Sequence, residues 1–335
     1  MRGLLRLALP STWPKVGGTP SDVVFAENKL RLLHYRSHAR AESRPVLLVP
    51  SLINRHYVLD LLPGKSFVEY LLAAGHDVYA IDWGTPSPED RSVTFAHVVD
   101  RYLGHAVRTA ARRSGRRVHL FGYCLGGTLA AIHAVLRPQP IASLALVAAP
   151  IDFSDDGLLS TWTRSRRFDL DSLVDGYGNV PWQVMQSAFH LLRPTLGLWK
   201  SVRLVEKASD DEFMDGFLAL ETWGNDNVSF PGECYREYVR ELYQKNALAS
   251  GALFVSGEKV RLESLRAPTM VVTFEHDHIV PKASATAILG LARNAPVTHL
   301  HLVGGHVGAM VAKSAAKGLW PALSKFWREH DGFAE

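Results

Sequence analysis

Residues 117–135 limit most what this chain can fold into. They read Arg-Val-His-Leu-Phe-Gly-Tyr-Cys-Leu-Gly-Gly-Thr-Leu-Ala-Ala-Ile-His-Ala-Val. Residues 118–121 are a short apolar run suited to a buried strand, and residues 125–136 suit a helix. Between them lies Gly122-Tyr123-Cys124-Leu125-Gly126. A side chain on so tight a strand-to-helix turn sits on strained backbone and needs small neighbours, which Gly122, Gly126 and Gly127 supply. The helix that follows aims free N–H groups and its positive dipole end at the sulfur, favouring the thiolate, the form that attacks. The alternative for this motif alone is a glycine-rich turn with an inert buried cysteine, so the rest of the chain has to decide.

Further apolar runs lie at residues 29–35, 46–49, 78–81, 143–149, 269–274 and 297–302. Helical spacing separates several of them: 66–74 closed by Gly75, 95–110 closed by Gly115, 283–291, and a last helix carrying Trp320, Leu323, Phe326 and Trp327. Near-continuous apolar strands alternating with helices predict an α/β chain, a mostly parallel sheet covered on both faces. From 151 to 265 the alternation stops. Helical periodicity and aromatics take over: Trp162, Phe168, Trp182, Phe189, Trp199, Phe213, Phe217, Trp223, Phe230, Tyr235, Tyr238 and Tyr243. The expected layout is an irregular N-terminal arm over 1–23, a core built from 24–150 and 266–335, and an inserted helical cap over 151–265. Most cap aromatics should be its core and a few should line a channel, which spacing does not single out.

Charge and cysteine content narrow the setting. The net charge of +4 is too small and too scattered for a nucleic-acid binder. The densest basic run, Arg112, Arg113, Arg116 and Arg117, falls at a helix end and reads as a solvated face; the alternative is a contact to an anionic ligand. Cys124 and Cys234 make no disulfide framework, which fits a reducing, cytoplasmic setting. Arg6 and Pro10 interrupt the apolar N-terminus and no small-x-small cleavage site follows, against a secretory signal. No run reaches the roughly 20 apolar residues of a membrane span.

Cys124, Asp277 and His306 each follow an expected strand, in the order nucleophile, acid, histidine. In a parallel sheet such positions gather at the carboxyl edge. His306 would take the thiol proton or hold it as an ion pair, and Asp277 would fix the ring's tautomer and orientation. Backbone N–H groups of Leu125 and of Ile53 or Leu52 would form an oxyanion hole. Singly, Asp277 could merely cap a turn and His306 could be a plain loop residue; their agreement with one order favours the joint reading. His276, His278 and His299 raise a metal site, which the distant cysteines and the loop setting of His276 and His278 disfavour. Neither a metal nor a cofactor is expected.

With these residues in view, the chain resembles the catalytic subunit of polyhydroxyalkanoate synthases, of the short two-subunit class III type, which have an α/β-hydrolase fold. The matching blocks begin after about residue 24: Glu27-Asn28-Lys29-Leu30, Leu52-Ile53-Asn54-Arg55 with Tyr57 and Asp60-Leu61, Asp77-Val78-Tyr79, and Ile81-Asp82-Trp83-Gly84. They continue through the Cys124 turn, Pro150-Ile151-Asp152-Phe153, Trp223, Pro231-Gly232-Glu233, Tyr243-Gln244, Asp277-His278-Ile279-Val280-Pro281 and Gly304-Gly305-His306-Val307-Gly308. The Ile-Asn-Arg and Asp-Trp-Gly blocks are the specific ones, since dienelactone hydrolases carry a very similar cysteine turn.

The resemblance implies that Cys124 attacks a 3-hydroxyacyl-coenzyme A thioester, releases coenzyme A and holds an acyl chain that grows on the enzyme. It implies His306 as the base for the thiol, and Asp277 as the partner that orients the ring or helps activate the attacking hydroxyl. It also implies a polyester product and granule surface, a second synthase subunit as partner, and a homodimer. Two other functions remain open: a cysteine hydrolase of esters, lactones or thioesters, and a non-catalytic granule- or partner-binding homologue.

Overall fold

The apolar runs of the chain converge on one eight-stranded sheet in the computed structural model, which describes residues 2–37, 43–192 and 196–332. Its strands are β1 (Ser21–Glu27), β2 (Leu30–Tyr35), β3 (Pro45–Val49), β4 (Asp77–Asp82), β5 (Val118–Tyr123) and β6 (Ile141–Val147). A separate hairpin, β7 (Phe254–Val255) and β8 (Glu258–Lys259), precedes β9 (Thr269–Phe274) and β10 (Val297–Leu302), which rejoin the main sheet. The strand order is β1-β2-β4-β3-β5-β6-β9-β10. From β4 to β10 every neighbouring pair is parallel; β2 runs antiparallel to both β4 and β1.

Alternate side chains of the central strands go to opposite faces, as the two-residue period requires. Leu47, Leu120 and Leu144 pack on one face with Leu103, Val107 and Leu129. Leu48, Phe121 and Ala145 pack on the other with Phe67, Leu71, Leu323 and Trp327. Both faces are covered, so these strands show no polar alternation. At the amino ends of the strands, the Asp331 carboxylate accepts the Arg44 N–H at 2.8 Å and pairs with His119 Nε2 at 3.1 Å. His119 Nδ1 meets Ser143 Oγ at 2.8 Å.

The arm, expected to be irregular, carries a short helix (Arg2–Leu7) and gives way at Ser21 to β1. A register shift between Val23 and Phe25 breaks the alternation that would have announced this strand. The helix expected over 95–110 begins as a π-helical stretch (His97–Tyr102) that runs into Leu103–Ser114. Gly115 ends it at φ 68°, the left-handed geometry of a helix C-terminus. The helix expected over 283–291 divides at Ala287.

Between β6 and β7 the chain forms helices, among them Leu158–Arg164, Leu170–Tyr177, Asp211–Asn225 and Gly232–Glu237, the last continuing as a π-helical stretch (Tyr238–Gln244). Trp223 and Phe230 are buried there. Trp162, Phe168, Trp182, Phe213 and Phe217 are only half-buried, fewer core residues than expected, because a thin layer of short helices has little interior. The side chains of Phe189 and Trp199 lie outside the described residues.

Candidate active site

Cys124 sits between β5 and the helix Leu125–Leu136, at φ 54° and ψ −132°. For a residue with a Cβ this conformation costs about 1–3 kcal/mol and persists only where its surroundings enforce it. Here the Cys124 N–H donates to Val147 O at 3.0 Å, and Gly127 N–H donates to Cys124 O at 2.9 Å. Gly126 shows how close the packing is: a Cβ there would lie 2.2 Å from Val49 O and 2.5 Å from Pro50 O. The turn is therefore pressed against the loop that leaves β3.

Asp277 follows β9 and His306 follows β10, and the two strands pair in parallel. His306 Nδ1 lies 2.7 Å from Asp277 Oδ2. The other carboxylate oxygen accepts the N–H groups of Ile279 and Val280, both at 2.9 Å. Asp277 thus caps its own turn and holds the ring at once, so the two readings open from sequence coexist on different oxygens. Both side chains are withdrawn from solvent, 8% and 2% exposed. Tyr123 Oη donates to His306 O at 3.1 Å, and its ring packs 5.3 Å from the imidazole.

Burial alone would lower the His306 pKa. The charge of the facing Cys124 sulfur and the Asp277 hydrogen bond more than offset it and lift the ring to about 10. The two cysteines contrast sharply. Cys124 is half-exposed, whereas Cys234 is fully buried and burial pushes its thiol well up, as for an inert structural residue.

Leu125 is the first residue of its helix, where a backbone N–H has no intrahelical acceptor. Ile53 and Leu52 lie in the turn after β3, the loop against which Gly126 packs. Trp83 Nε1 holds the start of that loop by donating to Pro50 O at 3.1 Å.

An aromatic cluster stands beside the sulfur. Phe153 and Tyr243 have ring centroids 4.8 Å apart, Tyr238 and Tyr243 5.5 Å, and Phe230 and Tyr238 5.8 Å. Burial raises the pKa of both tyrosines; their mutual contact also raises that of Tyr238, and the charge of Cys124 adds to both. Spacing along the chain did not separate these tyrosines from the other aromatics. Their convergence depends on the π-helical stretch, which has no sequence signature. Elsewhere, His299 and His301 both meet Thr273 Oγ1, at 2.8 and 2.9 Å. Among the described residues no three metal-ligand side chains gather. A groove of about 440 Å³ between Tyr70, Ala74, Ser324 and Arg328 lies against the last helix, away from Cys124.

Comparison with known proteins adds to this geometry. Residues 14–71 match the family described as the N-terminus of poly-beta-hydroxybutyrate polymerase (PhaC), a match that begins inside the arm, ahead of the blocks read from sequence. Residues 46–317 match the alpha/beta hydrolase family. The chain is 37% identical over 318 residues to the poly(3-hydroxyalkanoate) polymerase subunit PhaC of Haloferax mediterranei, covering 94% of this chain and 65% of that protein. It is 33% identical to the protein of the same name from Allochromatium vinosum, covering 93% of this chain and 89% of that one.

Among solved structures it is similar to a putative non-heme bromoperoxidase of Mycobacterium tuberculosis, at TM-score 0.56 and 15% identity over 91% of this chain and 97% of that one. A thioesterase domain from the curacin biosynthetic pathway gives TM-score 0.51 and 16% identity over 93% and 100%. These likenesses speak to the α/β-hydrolase fold alone. By sequence, the chain belongs to the poly(3-hydroxyalkanoate) polymerase PhaC family.

Proposed function

We propose that the chain polymerises 3-hydroxyacyl-coenzyme A thioesters through an acyl group carried on Cys124. The observation that carries this reading is His306 held between the Asp277 carboxylate and the Cys124 sulfur, in a chain of this family. A ring lifted to about 10 is protonated at neutral pH, which suits a thiolate–imidazolium pair. The thiolate adds to the thioester carbonyl carbon, and the N–H groups of Leu125 and Ile53 receive the oxyanion. Collapse breaks the bond to coenzyme A, whose sulfur leaves with the proton from His306. The hydroxyl of another unit then gives its proton to His306 as its oxygen attacks the acyl-enzyme. That step forms the ester and returns the sulfur. Asp277 keeps Nδ1 protonated, so Nε2 is the atom that exchanges the proton.

Thioester exchange onto a thiol is nearly balanced, so the chain stays activated between additions. The aromatic cluster of Phe153, Phe230, Tyr238 and Tyr243 favours an apolar acyl chain over water beside the sulfur. No metal or cofactor enters these steps. A polyester granule surface, a second synthase subunit, a homodimeric state and a cytoplasmic setting belong to the same proposal. No helix among the described residues is long and apolar enough to cross a membrane.

The test is incubation with 3-hydroxybutyryl-coenzyme A, alone and with a candidate second subunit, following free thiol and product size. Thiol release with growing polyester is the expected result. Cys124→Ser should fold normally and lose nearly all of it, because a hydroxyl is not ionised as a thiol is. Cys124 is half-exposed, so water could reach it; free hydroxy acid as the only product would assign the chain to the hydrolases instead. No turnover with any partner would favour a binding role.

A further inference from the structure

The loop that leaves β3 is held at its two ends by different parts of the molecule. Its start is fixed by the core, through Trp83 and Pro50. Its continuation is gripped from the far end of the helix Asp211–Asn225. The Asp226 carboxylate accepts Arg55 Nε at 2.9 Å on one oxygen and the Tyr57 hydroxyl at 2.8 Å on the other. Asn227 Oδ1 accepts Asn54 Nδ2 at 2.7 Å, and Trp223 Nε1 donates to Arg55 O at 3.0 Å. Ile53 immediately precedes this gripped segment, and only Ser51 and Leu52 separate it from Pro50, which packs on Gly126.

Four hydrogen bonds from one helix end to three residues within a four-residue stretch of the loop, Asn54, Arg55 and Tyr57, are more than is needed to attach a helical layer. Those residues come from sequence about 170 positions away. One of these bonds holds the Arg55 carbonyl and three hold the side chains of Asn54, Arg55 and Tyr57, which restrains the chain just after Ile53, and a donor N–H is useful only if it points at the position the oxyanion will occupy. We infer that Asp226 is a positioning residue that sets the Ile53 N–H for acyl transfer, so that seating the helical layer and completing the oxyanion hole are one event. This rests on the reading of Cys124 as nucleophile. The layer then does more than cover the sulfur: with it lifted, the thiolate is still present but acyl transfer is not supported.

Alkylation separates the two. Iodoacetamide reacts by displacement at carbon and develops no oxyanion, whereas acylation from p-nitrophenyl acetate or 3-hydroxybutyryl-coenzyme A does. In Asp226→Asn, which keeps size and removes the charge, acylation of Cys124 should slow about 10- to 100-fold, with the donor's KM little changed. Alkylation of Cys124, followed on its own peptide by mass spectrometry, should keep the wild-type rate. Tyr57→Phe should show the same split more weakly, and it carries the comparison if Asp226→Asn does not fold. Acylation at the wild-type rate would overturn the inference, and so would parallel loss of acylation and alkylation. A wild-type protein that is alkylated at Cys124 but acylated by neither donor would instead overturn the nucleophile reading itself.

Discussion

The parallel sheet and the helical layer beside it hold their parts of the site by different physics. Cys124 and Asp277 are anchored one and three residues beyond strands that are almost wholly buried and paired on both sides, and His306 four residues beyond β10, the half-exposed edge strand paired along its length with β9. Backbone ladders are directional, so they fix angles as well as positions. The aromatic cluster, two buried and two half-buried rings, and the grip on the β3 loop depend on side-chain packing and a few polar side-chain bonds. Such contacts can be remade without unfolding the core. The proposed reacting groups are therefore set by the sheet, while their aromatic surroundings are set by the layer.

Breaking the sheet-anchored half should cost most. His306→Gln keeps a hydrogen-bonding side chain but cannot hold or return the proton, and turnover should fall about 10²- to 10⁴-fold. Steady-state coenzyme A release measures it; a loss of only a few-fold would remove His306 from proton transfer.

A second expectation concerns pH. His306 is raised above its ordinary 6.5 to about 10 in the folded chain. Its contribution to stability is therefore fully present below 6.5 and is lost as pH rises through about 10. In Cys124→Ala the larger raising influence is gone, so the ring should titrate closer to 6.5 and the alkaline loss of stability should shrink. Ring NMR titration and thermal melts at neutral and alkaline pH follow both; an unmoved value would make Asp277 alone responsible.

The smallest effect belongs to the layer. Tyr238→Phe removes one hydroxyl from the aromatic cluster, worth about 0.5–1.5 kcal/mol, so turnover should drop by only about 2- to 10-fold. A substrate series should show the change concentrated in some acyl lengths. A loss as large as that of His306→Gln would erase the division between the two regions.

The same division explains what could be read from the chain alone. The helix over 125–136 and the strand over 269–274 fall where apolar runs and glycines place them, because their side chains answer to one buried environment, and the half-exposed strand over 297–302 falls where its alternation of Leu with His places it. The closeness of His306 to Asp277 followed from chain order on a parallel sheet. The π-helical stretch over 238–244 did not show, since one extra residue in a turn leaves an apolar pattern nearly unchanged. Asp226 did not show either: an acidic residue after a helix is ordinary, and its partners are far away in sequence. β1 was hidden by its irregular register and exposed edge.

One feature of the sheet has a practical reach. The strands before Cys124, Asp277 and His306 all run the same way, so the candidate site lies at one pole of the molecule and leaves the other quiet. The quiet pole is where Asp331 ties to Arg44 and His119. Tethering the protein to a bead or an electrode through residues near Asp331 would leave the other pole facing outward, and a product emerging there would grow away from the support.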